Sequence, residues 1–108
     1  LTPKLWTESV ARLRLLAPPP DGARVIVRLL NNVPDDALAD CRRCPSGHYE
    51  LRFPRPLVLN ETSYSLVLLA HEWAHLFTLD EKEEHGPLFG IAYAQCWTIL
   101  ALDFDFPQ

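Results

Sequence analysis

Leu5, Trp6, Ser9, Val10, Leu13 and Leu16 recur at helical spacing near the start of the chain, while Lys4, Glu8 and Arg12 fall on the opposite face. This pattern predicts an opening helix. Thr2 can cap it, Pro3 suits a first turn where its missing N–H costs nothing, and Leu1 can pack on Trp6 as a staple. The run Pro18-Pro19-Pro20 ends it. "ARVIVRLL", residues 23–30, is rich in β-branched residues and predicts a strand. A second, half-buried strand is expected in "HYELRFPR", where Tyr49, Leu51 and Phe53 alternate with Glu50 and Arg52. Pro54 and Pro56 assign it, or the short "LVL" that follows, to the edge of a sheet. The polar stretch between the two strands reads as a loop with room for one helical turn around 35–39.

Asn60 is a good N-cap and Glu61 would sit in the first turn, where the helix dipole favours negative charge. A helix is therefore expected from there to about Leu79. The charged run at 80–84 reads as a solvated connector. Gly86-Pro87 then opens a last helix, "PLFGIAYAQCWTILALDF", which is apolar on nearly all sides and expected to be buried. The order helix, strand, strand, optional short strand, helix, helix predicts one α+β domain over residues 1–108 with a short, mostly antiparallel sheet.

At 108 residues and 48% hydrophobic content, the chain can bury a small core, and no run of eighteen apolar residues marks a membrane span. Three cysteines cannot close into a set of disulfides, so a reducing, cytoplasmic compartment is the expectation. The net charge of −4 conceals an asymmetry: residues 1–60 hold nine Lys/Arg against six Asp/Glu, and residues 61–108 hold one Lys against eight acids. No Lys/Arg stripe interleaved with aromatics emerges from the basic half. The balance thus argues against a nucleic-acid partner.

The candidate chemistry lies in "LLAHEWAHLFTLDEKEEHGPLFG", residues 68–90. His71 and His75 are four residues apart on a predicted helix, so their imidazoles share a face and can converge on one ion. Glu72, about 100° further round, stands beside such an ion and not on it. Zinc binds imidazole nitrogen and, in catalytic sites, keeps a position for water whose proton a neighbouring carboxylate can take. Asp80, Glu81, Glu83, Glu84, His85, Asp103 and Asp105 are candidates for a third ligand. His85 is preferred, because it directly precedes Gly86-Pro87, where a sharp turn can aim its ring back at the pair; Asp103 is the alternative. Tyr93 and His48 are the candidate donors to a developing oxyanion.

"HEWAH" matches the His-Glu-x-x-His signature of zincin metallopeptidases, and "HGPLF", ten residues after His75, resembles the His-Gly-x-x-Phe segment of SprT-like and WLM-type zinc peptidases. The likeness is confined to residues 64–93. It implies His71, His75 and His85 as zinc ligands, Glu72 as the general base, and a peptide or protein substrate aligned on an edge strand, here "HYELRF". Thr78 and Glu81 stand where metzincins need Gly and a third His, and the last helix lacks the Glu of gluzincins. SprT-like enzymes that act at DNA carry further basic and zinc-ribbon parts beyond this pattern. The leading expectation is thus a zinc metallopeptidase working through a zinc-bound water activated by Glu72. The alternatives are a non-catalytic zinc-stabilised protein-interaction domain and a DNA-associated SprT-like protease.

Cys41-Arg42-Arg43-Cys44, with His48 four residues on, is half of a structural zinc knuckle that His48 or Cys96 would complete. A local disulfide and two unmodified loop thiols are the other readings, with the unmodified loop preferred.

Overall fold

A computed structural model describes residues 1–31 and 39–101. Asp103, Asp105 and nearly all of the helical turn expected around 35–39 lie outside the described residues. The chain is α+β: α1 (Pro3–Leu16), β1 (Val25–Leu30), β2 (Asp40–Arg43), β3 (Tyr49–Pro54), α2 (Arg55–Asn60), α3 (Thr62–His75) and α4 (Pro87–Ala101).

α1 forms as its pattern predicts. The Thr2 side chain accepts from the Leu5 amide at 3.2 Å, Pro3 occupies the first turn, and Trp6, Ser9, Val10 and Leu13 turn inward. Leu5 and Leu16 remain 37% and 55% exposed, so the buried stripe is narrower than expected. The Trp6 ring meets Phe53 of β3 edge-on at 5.0 Å, which fixes the helix against the sheet. One buried cluster joins these residues to Leu51, Leu66, Leu69, Trp73 and Cys96.

The sheet has the order β1-β3-β2, with β1 parallel and β2 antiparallel to β3. It is mixed, not mostly antiparallel. β2 falls in the stretch expected to be loop: a turn closed by Gly47, at φ 89°, folds Asp40–Arg43 back so that Cys41 pairs with Leu51 and Arg42 with Glu50. "HYELRF" is consequently the central strand and not an edge. Pro54 is tolerated there because it is the strand's last residue, where no ladder bond is forfeited. β1 and β2 are the outer strands. On β1 the Tyr49 amide takes the Arg24 carbonyl at 2.9 Å, so the Val25 and Leu29 carbonyls point away from β3, and they accept from Arg14 at 2.9 Å and Arg55 at 3.2 Å.

Four further expectations are corrected. "LVL" is helical: with Pro56 in its first turn, α2 buries Val58 and no strand forms there. α3 starts at Thr62 behind Glu61, not behind Asn60, since Asn60 ends α2. It also stops at His75 and not at Leu79, passing into turns held by Leu76, Phe77 and Thr78 amides on the carbonyls of Trp73, Ala74 and His75. Finally, α4 is not buried all round. Phe89, Ala92, Cys96 and Leu100 face the core, whereas Leu88 and Ile91 are 54% and 58% exposed, because so short a chain has nothing among its described residues to lay over the other face.

Candidate metal centre

His71 and His75 lie on the last turns of α3, one turn apart, and the end of the helix directly after His75 frees the chain to double back. His85 closes that excursion, just before Pro87 starts α4. Gly86 is needed at the bend: a Cβ there would come within 2.6 Å of the Glu83 carboxylate and 2.9 Å of its Cβ. The local sequence thus converts three distant positions into one cluster.

The three Nε2 atoms form a nearly equilateral triangle, with separations of 3.3 Å for His71–His75, 3.2 Å for His71–His85 and 3.3 Å for His75–His85. Each nitrogen either carries a proton or presents a lone pair, so in a triangle at least one of the three contacts must join two of the same kind. Hydrogen bonding among the rings therefore cannot satisfy all three. A tetrahedral ion about 2.0–2.1 Å from each nitrogen requires nitrogens about 3.3–3.4 Å apart. The observed edges match that spacing, and the group can hold a metal ion. Among the described residues no further His, Cys or acidic ligand atom joins it. Asp80, offered by the sequence as an alternative ligand, is instead 3.5 Å from Arg43.

Phe89 of α4 forms the floor under the rings. Its centroid is 4.6 Å from that of His75, 4.9 Å from His85 and 5.1 Å from His71. Tyr93, one turn on, stands 6.3 Å from His71, while His48 belongs to a different cluster. Of the two sequence candidates for an oxyanion donor, only Tyr93 is near the triad.

Glu72 is buried beside the histidines, with Oε1 3.9 Å from His71 Nε2 and Oε2 lacking any protein partner. Burial, followed by the charges of Asp40 and Glu84, pushes its carboxyl up to about 7. Burial also pulls His75 down to about 4, with His71 and His85 adding to the effect, and lowers His71. Both shifts favour the neutral imidazole in His71 and His75, the form that binds metal. A carboxyl poised near neutrality can both accept and return a proton.

These groups open on a cleft of about 480 Å³ that Asp40 and Cys41 of β2 line from the other side. Neither residue was singled out as part of this site, nor was Thr78, whose buried hydroxyl has no partner. Only the pairing of β2 brings Asp40 and Cys41 here, and no local pattern encodes it. Cys41 and Cys44 do not converge as a knuckle would require. Cys41 turns toward Glu72 and is pushed up to about 12 by burial, then by Glu72 and Asp40, whereas Cys44 joins His48 and Glu50, with ligand atoms within 4.8 Å of one another. That second group could also hold a metal, but its Glu50 carboxylate already accepts from Arg28 at 3.1 Å and Arg42 at 3.0 Å. Two guanidiniums at the carboxylate oppose a cation. All three thiols are free.

No protein-family profile, no curated protein and no solved structure matches this chain. Its chemistry must be read from the site itself. Among the described residues, no helix is long and apolar enough to cross a membrane.

Proposed function

We propose that the chain is a zinc-dependent metallopeptidase of the zincin type, with His71, His75 and His85 as the zinc ligands and Glu72 as the general base. The observation that carries this reading is the triangle of Nε2 atoms at tetrahedral spacing, with an unpartnered carboxylate oxygen beside it. When bound, the ion supplies Lewis acidity, lowering the pKa of water to about 7 and polarising a carbonyl.

The protein's own groups do the rest. Glu72 takes the proton of the attacking water and later delivers it to the departing amine, a double role that suits a buried carboxylate standing beside the three histidines. Phe89 keeps the three imidazoles in register and water away from their lower faces. Tyr93, whose ring lies 6.3 Å from that of His71, is the donor proposed for the developing oxyanion. With β3 central, the edge strand for an extended peptide becomes β2, whose outer side pairs with no strand among the described residues.

The test is Glu72→Gln. The variant should bind zinc at the wild-type stoichiometry and lose peptide hydrolysis by roughly 10²–10⁴-fold. Equal hydrolysis by variant and wild type would remove Glu72 from the mechanism. A zinc-loaded wild type that cleaves nothing in a broad peptide library would leave the second reading, a zinc-stabilised interaction domain, which the exposed Leu88 and Ile91 of α4 favour.

A further inference from the structure

The cleft beside the triad has a one-sided charge. Asp40, Glu72, Glu81 and Glu84 line it, and among the described residues no Lys or Arg does. Asp40 is paired from outside the cleft by Arg52, whose Nε donates to Oδ1 at 2.7 Å and whose Nη2 meets Oδ2. Glu72 is committed to the reacting water, which leaves Glu81 and Glu84, both exposed, as the acidic wall of the cleft. Two buried polar atoms among its lining groups, Glu72 Oε2 and Thr78 Oγ1, also lack any protein partner. Groups of this kind are expensive to leave unpaired, and both are acceptors suited to an N–H donor.

Thr78, Glu81 and Glu84 belong to the turn segment between α3 and α4, the same excursion that returns His85 to the triad. A side chain of a peptide lying along the cleft would therefore meet an acidic wall immediately next to the reacting centre. The geometry points to a subsite for a cationic residue, Lys or Arg, formed by Glu81 and Glu84 with Thr78 behind them, so that the substrates are basic peptides. This deepens the metallopeptidase reading and rests on it for the location of the scissile bond.

Glu81 and Glu84 are exposed, so each contact is screened and modest. An exposed carboxylate near a cation changes binding by up to roughly fivefold, and less as salt rises. The experiment measures binding separately from cleavage. Fluorescent peptides identical but for one Lys, norleucine or Glu are titrated by anisotropy against zinc-loaded Glu72→Gln protein, at low and high salt, and against the same protein carrying Glu81→Gln and Glu84→Gln. The Lys peptide should bind several-fold more tightly than the norleucine peptide and the Glu peptide most weakly. That order should flatten in the variant and in high salt. Equal affinities, a preference that survives both acid substitutions, or no measurable binding of any peptide overturns the inference. Hydrolysis by the wild type is scored apart: cleavage without charge preference sinks the subsite alone, while selective binding without cleavage sinks the peptidase reading alone.

Discussion

The Trp73 indole N–H donates to the Ala17 carbonyl at 2.8 Å, bridging 56 positions of sequence and tying the helix that carries the histidine pair to the end of α1. Trp73 is fully buried, so this bond is part of the packing that holds α3 in place. Replacing Trp73 by Phe removes the donor and part of the ring while keeping an apolar side chain. The expected cost is about 1–3 kcal/mol of stability, read as a lower urea midpoint with an unchanged m-value.

Phe89 touches all three imidazoles and also lies in the core, so its loss should be felt in metal affinity as well as in folding. Phe89→Ala is expected to weaken zinc binding by roughly 10–100-fold, the range for groups that orient ligands without touching the ion. Competition with a fluorescent chelator measures it, and Phe89→Leu should recover part of the loss.

Zinc stoichiometry distinguishes the two potential metal groups. Because Arg28 and Arg42 occupy the Glu50 carboxylate, one zinc per chain is expected, retained in Cys44→Ser and lost or weakened in His85→Ala. Zinc should also raise the thermal midpoint of the wild type, with about 2.7 kcal/mol of stabilisation at a free concentration one hundred times Kd, and a chelator should reverse it. A second equivalent bound tightly by the wild type and absent from Cys44→Ser would contradict this assignment.

Glu50 predicts a pH dependence. Burial alone would raise its carboxyl, but hydrogen bonds from Arg28 and Arg42 outweigh burial and hold it below its ordinary value of 4.5. The folded state therefore binds this proton less readily than the unfolded chain. The resulting stability is present above pH 4.5 and is lost as pH falls below it through the folded value. Glu50→Gln should lower stability near neutrality and flatten its decline in acid, as measured by denaturant titration at several pH values.

The amphipathic stripe of α1, the β-branched run of β1, the alternation in β3 and the triad residues themselves were all legible in the sequence, because each is a local pattern of spacing. β2 was not. Asp-Cys-Arg-Arg has no apolar alternation, and it becomes a strand only because the turn at Gly47 returns it to β3. The misreading of β3 as an edge follows from that one omission. "LVL" has strand composition, yet it is helical because Pro56 fits a first turn and Val58 finds a place in the core, a tertiary outcome that overrides local preference. For the site, local sequence pointed to the three histidines that the fold brings together and to Glu72 beside them. The cleft was hidden because its far wall, Asp40 and Cys41, comes from β2.

The two arginines on the outer carbonyls of β1 make the sheet lopsided. With Val25 and Leu29 already accepting from Arg14 and Arg55, a second chain laid along that side would find two of its anchoring points taken. Molecules of this protein are thus discouraged from stacking strand to strand through β1, on the flank of the sheet away from the histidines.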